Sequence, residues 1–202
     1  MATRTYRASR RRGSAQSVDR VLDASDRLIR DDAFHSATMD ELAEAAGVSR
    51  ATVFNRFGSK LGVLQTLFTR CLESPEMDAI REASALEDPV EALDAVIEAS
   101  CQMWETHGHI QEQLQAIVIL EPEASALVEQ QKEDQRAGLL ALTRRLARAE
   151  RLRRGLGEAR VAATLHLLTS LESFLWLRRE YGLSLRQTRD TIAGLAGMLL
   201  RS

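Results

Sequence analysis

The sequence predicts an all-α protein, with an N-terminal helix-turn-helix domain of three helices and a larger helical bundle that dimerises. Leu, Ala, Arg and Glu dominate a chain that is 45% hydrophobic, a composition typical of helical proteins. Apolar residues recur at the three- and four-residue spacing of amphipathic helices rather than in alternation. Only three prolines interrupt the 202 residues.

Composition also excludes several classes of protein. No apolar run reaches the roughly 18 residues that a membrane span needs, and no apolar stretch follows the basic N-terminus as in a secretory signal. Two cysteines, Cys71 and Cys101, make no disulfide framework. The expected location is therefore the reducing cytoplasm, without membrane association.

Basic residues are concentrated near the N-terminus. Residues 1–60 hold 11 basic and 8 acidic residues, whereas the remainder holds 16 and 21. We expect residues 1–14 to form a disordered basic arm that binds DNA phosphates, although a solvated tail without a partner would have the same composition. The arginines of this arm are Arg4, Arg7, Arg10, Arg11 and Arg12.

The first three predicted helices are separated by clear end signals, and we assign residues 15–60 to this domain. A helix from Ala15 to Asp31 has one apolar face. Thr38 and Glu41 have the spacing of a capping box that starts a second helix. Gly47 suits the exit from that helix, and Ser49 is placed to cap a third. Two short helices joined by a glycine-containing turn form a helix-turn-helix.

The third helix has the side chains of a helix that reads the major groove. At 100° per residue, Val53 and Phe57 share the face that must be buried, while Ala51 and Asn55 lie opposite. Asn pairs with adenine, small methyl groups contact thymine, and Arg takes guanine or phosphate. The alternative is an ordinary solvated amphipathic helix. The long cations at its flanks are Arg50 and Arg56.

Residues 15–65 resemble the DNA-binding domain of the TetR family of bacterial transcriptional regulators. The residues that carry the resemblance are Phe34, Thr38–Ala43, Ala46–Ser49, Ala51–Phe54, Phe57 and Ser59–Lys60. The resemblance implies that the third helix enters the major groove and that the starts of the second and fourth helices contact phosphates. The DNA-contacting residues are then Thr38, Ser49, Arg50, Ala51, Thr52, Phe54, Asn55, Arg56 and Lys60.

The chain departs from the pattern of that family at several positions. Phe54 stands where the family often has Tyr, so a hydroxyl contact to phosphate is missing. Arg56 stands where His is frequent, and its longer cationic side chain is expected to add a contact to the DNA backbone. Ala33 replaces a frequent Gly, and Gly62 replaces a frequent acidic residue after Lys60.

Residues 61–202 are predicted to form the ligand-binding and dimerisation domain. Ser74-Pro75 and Asp88-Pro89 each place a capping residue before a proline, as at helix starts. Further breaks are expected at Gly108, Pro122 and the glycines of 155–157. The predicted helices are 75–85, 89–106, 109–120, 122–152, 158–181 and 184–201.

The last two helices predict a dimer. The 158–181 helix is apolar nearly all round, so it is buried on more than one side. A four-helix interface between two copies accounts for this, and the family resemblance implies the same pairing; the alternative is that both helices belong to the monomer core. The expected interface residues are Leu165, Leu168, Ile192, Leu195, Met198 and Leu199.

A polar stripe suggests where an effector binds. His166, Ser170 and Ser173 follow spacings of four and three on the 158–181 helix. TetR-like regulators usually bind a small molecule in the helical domain, so this stripe would line the pocket, with Met103 and Trp104 as its apolar wall. The alternatives are core residues bonded to nearby carbonyls, or residues at the dimer seam.

No metal, cofactor or enzymatic activity is expected. Cys101, His107 and His109 have no tight ligand spacing, and the chain lacks a phosphate-binding glycine loop, a zinc motif and a nucleophile elbow. The sequence thus predicts a homodimeric repressor that binds a double-stranded DNA operator and is released by an unknown small molecule. The alternative is a helical protein-interaction module without specific DNA binding.

Overall fold

The described part of the chain is mostly helical in a computed structural model of the protein. The structure describes the backbone of residues 2–118 and 125–201, and the side chains of residues 15–117, 126 and 128–201. The predicted all-α class is confirmed. The helices are α1 (Ala2–Arg30), α2 (Met39–Ala45), α3 (Arg50–Phe57), α4 (Lys60–Leu72), α5 (Pro75–Ala85), α6 (Pro89–Val118), α7 (Ser125–Arg148), α8 (Glu158–Leu168), α9 (Leu171–Arg179) and α10 (Leu185–Gly197).

The internal contacts divide the chain into two compact units. The first unit is Met1–Cys71 with His109–Ala124, and the second is Leu72–Gly108 with Ser125–Ser202. The sequence placed its domain boundary at residue 60, whereas α4 up to Cys71 groups with the first helices by its contacts.

The first unit is built on α1 to α4. Its core consists of apolar side chains that are almost completely buried, as the helical spacing predicted. α1 begins at Ala2, although the sequence predicted a disordered segment over 1–14; no proline interrupts this stretch, and Ala and Arg are strong helix formers. The largest core side chains of this unit include Val21, Phe34, Leu42, Val53, Leu64 and Leu67.

The predicted helix-turn-helix signals are confirmed at α2 and α3. The Thr38 hydroxyl accepts a hydrogen bond from the Glu41 backbone N–H (3.2 Å), and the Glu41 carboxylate accepts one from the Thr38 N–H (2.7 Å). Gly47 follows α2 with a φ of 62°, in the left-handed region that favours glycine. Ser49 then caps α3, since its hydroxyl accepts from the Thr52 N–H at 3.2 Å.

Gly62 allows the start of α4 to approach the end of α3 closely. A Cβ at residue 62 would overlap the carbonyl oxygen of Phe57. Because that oxygen belongs to the backbone, it cannot rotate away. The backbone of this chain therefore leaves no room for a side chain at residue 62.

Replacing Gly62 by Ala should destabilise the first unit, because the added methyl overpacks a backbone junction. Overpacking of this kind costs about 1–3 kcal/mol, which thermal unfolding monitored by circular dichroism would detect. Gly138→Ala is the matched control, because Gly138 is exposed within α7 and a Cβ there meets nothing within 4 Å. The control should leave stability unchanged or raise it slightly, and an equal effect of both variants would contradict the steric argument.

The second unit has its own hydrophobic core, formed by α5 to α10. Its buried side chains include Leu93, Ile97, Leu146, Leu165, Phe174 and Ile192. The C-terminal end is held by an antiparallel bridge between Leu152 and Leu200, flanked by a hydrogen bond from the Arg201 N–H to the Arg151 carbonyl at 2.8 Å. Among the described residues, none of the helices combines the length and the apolarity that a bilayer crossing requires.

The predicted break at Gly108 is wrong, because α6 continues through it. Gly108 is buried, and a Cβ there would lie 2.9 Å from the Cδ1 of Leu171. The glycine thus provides space for a neighbouring side chain rather than ending the helix. Pro122, where another break was predicted, lies outside the described residues.

The prediction of one helix over 158–181 is also wrong. The structure has two helices in this range, α8 and α9, separated at Thr169 and Ser170. The Thr169 hydroxyl donates to the Leu165 carbonyl at 2.9 Å, and the Ser170 hydroxyl accepts from the Ser173 N–H at 3.2 Å. Ser and Thr compete with helical hydrogen bonding in this way. The break is reinforced from α6, where the Trp104 indole N–H donates to the Thr169 carbonyl at 2.8 Å.

Candidate nucleic-acid interface

The orientation predicted for α3 is confirmed. Val53 is fully buried and Phe57 is half-buried, whereas Ala51 and Asn55 on the opposite side are exposed. Small and amide groups therefore lie at the centre of the outward face. That an amide at this position contacts a base edge stays a prediction.

Arg50 and the paired hydroxyls at the start of α3 form the N-terminal rim of this face. Arg50 Nη1 lies 3.2 Å from Asp40 Oδ2, and both side chains are largely exposed. Such a pair contributes at most about 1 kcal/mol, so a phosphate can replace the carboxylate at little cost. The hydroxyls of Ser49 and Thr52 are 2.9 Å apart.

Lys60 is held at the start of α4 by two interactions within the first unit. Its ammonium donates to the His35 carbonyl at 2.7 Å and lies 5.1 Å from the centre of the Phe34 ring. Desolvation lowers the pKa of Lys60, and the nearby Glu41 carboxylate opposes that shift. Because an ammonium has three donors, Lys60 can keep the His35 contact and still donate to a phosphate.

Arg20 is a cation of this region that the sequence analysis missed. Its guanidinium donates to the Gly47 carbonyl at 3.3 Å, which places a positive charge from α1 beside the turn between α2 and α3. The two residues are 27 positions apart, so no local pattern relates them. The side chains of the predicted arm arginines lie outside the described residues.

Phe54 and Arg56 complete the exposed surface of α3. Phe54 has 60% of its surface exposed, which is unusual for so large an apolar side chain. Arg56 is exposed on the last turn of the helix. α3 thus presents polar, cationic and aromatic groups of the predicted interface, while Thr38 and Lys60 lie at the starts of α2 and α4.

Of the predicted effector residues, Trp104, Ser170 and Ser173 make hydrogen bonds at the break between α8 and α9. Met103 is buried, Trp104 bonds to Thr169, and Ser170 is the N-cap of α9. The Ser173 hydroxyl donates to the Leu167 carbonyl at 2.6 Å. His166 is half-buried on α8, and no described hydrogen bond joins it to this group.

Ser170→Ala should lower the stability of the second unit, because α9 loses the side chain that caps it. Loss of an N-cap costs about 1 kcal/mol, measurable as a shift in the midpoint of denaturant unfolding. Ser170→Asp restores a capping oxygen and should recover most of the loss. An Ala variant as stable as the native protein would show that the cap is dispensable.

The predicted interface residues fall into two groups. Leu165 and Ile192 are buried in the core of the second unit, because they face the other helices of the same chain. Leu168 and Leu199 are half-buried, whereas Leu195 is 46% exposed and Met198 is 63% exposed. Leu167, Trp176 and Tyr181, which the predicted interface did not include, are also exposed apolar side chains.

Cys101, His107 and His109 are each held by contacts within one unit of the fold. Burial and the nearby Glu98 carboxylate raise the pKa of the Cys101 thiol to about 11, so it is protonated at neutral pH. His107 lies 3.1 Å from Glu76 within the second unit, and His109 lies 2.7 Å from Asp26 within the first. The described residues contain no group of three His, Cys, Asp or Glu residues that could hold a metal ion.

A sequence model of a known protein family matches part of the first unit. Residues 21–67 match the sequence model of the bacterial regulatory proteins of the TetR family. This match spans α2, α3 and most of α4, and so contains the entire helix-turn-helix. No curated protein sequence matches the chain significantly.

Solved structures share the fold over nearly the whole chain. The TetR-family regulator PfmR from Thermus thermophilus is 22% identical, with a TM-score of 0.70 over 90% of this chain and 97% of its own. A regulator from Saccharomonospora viridis, solved with choline, is 18% identical with a TM-score of 0.79 over 92% and 98%. AibR, solved with isovaleryl coenzyme A and operator DNA, is 18% identical with a TM-score of 0.67 over 89% and 97%. Residues 21–67 therefore form a TetR-family domain, and the chain has the fold of TetR-family transcriptional regulators.

Proposed function

We propose that the protein is a homodimeric, sequence-specific repressor that leaves its DNA operator when a small molecule binds. The observation that carries the proposal is the outward face of α3, where exposed Ala51 and Asn55 lie between exposed arginines. Groups of these kinds match the base edges and phosphates of the major groove. The protein would act in the bacterial cytoplasm, where such a regulator meets its operator.

Dimerisation is supported by the apolar surface of the C-terminal helices. Leu167, Trp176, Tyr181, Leu195 and Met198 are all at least 46% exposed in the single chain. All five lie between residues 167 and 198, and exposed apolar surface commonly marks a contact with a partner. A two-fold dimer presents two recognition helices to half-sites about one helical turn apart.

Binding of a small-molecule effector is supported by the ligands of two similar structures and by the break between α8 and α9 in the second unit. The S. viridis regulator was solved with choline and AibR with isovaleryl coenzyme A. In this chain the break between α8 and α9 meets Trp104 from α6. A ligand that prefers one arrangement of these helices would shift the population of DNA-binding dimers. Repression is the usual role in the family that the first unit resembles.

The proposal is tested by retaining fragments of the source genome on the purified protein and sequencing them. The expected result is a small set of fragments that share an inverted repeat, because a two-fold dimer reads two equivalent half-sites. Retention of fragments without a common sequence, or of none, would favour a protein-interaction module.

Deleting residues 1–12 should weaken binding to every duplex and reduce its salt dependence, because five arginines are removed. The slope of log K against log salt concentration should fall by about 0.9 for each phosphate that the arm no longer neutralises. A full-length variant with these five arginines replaced by Gln is the matched control, since it removes the charge but keeps the chain. An unchanged slope in both variants would exclude the arm from the interface.

A further inference from the structure

The aromatic ring of Phe54 is the least expected feature of the α3 surface. It is 60% exposed, although α3 lies in a unit whose other large apolar side chains are mostly buried. Ala51, three residues earlier, is also exposed. Residues three apart are neighbours on a helix surface, so the Ala51 methyl and the Phe54 ring form one apolar strip beside Asn55.

The charge around this strip favours DNA over a protein as its occupant. Between Gly47 and Lys60 the chain has three basic residues and no acidic residue. Arg50 and Arg56 are both exposed at the two ends of the same helix. A helix with cations at its ends and neutral groups at its centre is complementary to two phosphate backbones and the bases between them.

Within the major groove, only one base carries an apolar group at its edge. Thymine presents its C5 methyl, whereas the edges of the other bases present hydrogen-bond donors and acceptors. A phenyl ring neither donates nor accepts, so covering a guanine or cytosine edge with it would leave polar atoms without partners.

We propose that Phe54, together with Ala51, reads the methyl group of a thymine in each half-site, beside the adenine read by Asn55. This inference rests on the proposed function, because it requires α3 to enter the major groove. It makes Phe54 a specificity-determining residue. The half-site would then contain a thymine that the protein distinguishes from the other bases by apolar contact alone.

The test uses deoxyuridine, which differs from thymidine only by lacking the methyl group. The operator is first selected from random duplexes. Equivalent thymines in the two half-sites are then replaced together by deoxyuridine, one position at a time. One such replacement should lower the affinity of the native protein about fourfold per half-site, the value of one buried methyl group. In Phe54→Ala the same replacement should have little further effect, since the two changes remove one contact.

Matched variants distinguish this contact from general packing. Phe54→Leu keeps an apolar side chain and should retain part of the methyl dependence. Because Phe54 is exposed, all variants should melt at nearly the native temperature, which circular dichroism checks.

Two other outcomes would overturn the inference in distinguishable ways. If Phe54→Ala weakens all duplexes equally and no deoxyuridine replacement couples to it, the ring packs on the sugar-phosphate backbone and the inference fails while the proposed function stands. If the native protein selects no sequence from the random duplexes, both fail together.

Discussion

Leu195→Glu should convert the proposed dimer into monomers and remove specific DNA binding. Leu195 is exposed in the single chain, and it lies on α10 between Gly194 and Gly197, where an added Cβ meets nothing within 4 Å. In a dimer that covers this surface, each Glu would place an unpaired charge in an apolar interface at a cost of several kcal/mol. Light scattering would measure the change in mass, and a gel shift would measure the loss of operator binding.

Arg186→Glu provides the control for this experiment. Arg186 is on the same helix, its side chain is 91% exposed, and nine residues at 100° each place it on the opposite side from Leu195. This variant should remain dimeric and bind the operator. A Leu195→Glu protein with unchanged dimer mass would show that α10 does not form the interface.

Asn55→Ala should lower affinity for the operator by about 1–3 kcal/mol while leaving the salt dependence unchanged. The amide lies on the exposed side of α3, away from buried Val53, where it can pair with an adenine edge. Losing that pairing should relax the preference at one base pair in each half-site. Affinity measured against salt concentration, on operator and on scrambled duplex, separates this loss from a phosphate contact.

The scrambled duplex is the internal control for Asn55. Because non-specific binding depends on phosphates, Asn55→Ala should bind the scrambled duplex as tightly as the native protein does. Equal losses on both duplexes would mean that Asn55 does not read sequence, and the orientation of α3 in the groove would have to be revised.

The helix-turn-helix was predictable because its signals are local. The capping box at Thr38 and Glu41, the exit at Gly47 and the cap at Ser49 each depend on neighbours within a few residues, and all three are present. The periodicity that placed Val53 inside and Asn55 outside is local in the same sense. Local preferences and the fold agree in this part of the chain.

The helix boundaries were predicted wrongly where contacts between residues far apart in the sequence determine the structure. Gly108 lies inside α6, where it leaves room for the side chain of Leu171 from a distant part of the chain. The break at Thr169 is tied to Trp104, 65 residues earlier in the chain. Sequence spacing contains no information about such neighbours, so it predicted a break where α6 is continuous and a continuous helix where α8 ends.

The candidate dimer surface was predictable only in part. A helix that is apolar on every side does not reveal which side faces its own chain, so Leu165 and Leu167 were indistinguishable by pattern. The structure buries the first completely and leaves the second 63% exposed. The contact of Arg20 with Gly47 was likewise invisible, since nothing local relates α1 to the turn.

The most direct test of the central claim compares the affinity of the native protein for its selected operator and for a scrambled duplex of the same length and composition. Both titrations are performed at the same near-physiological salt concentration, because non-specific affinity varies steeply with salt. A sequence-specific dimer should bind the operator at least about 10³-fold more tightly. Equal affinities for the two duplexes would contradict the account.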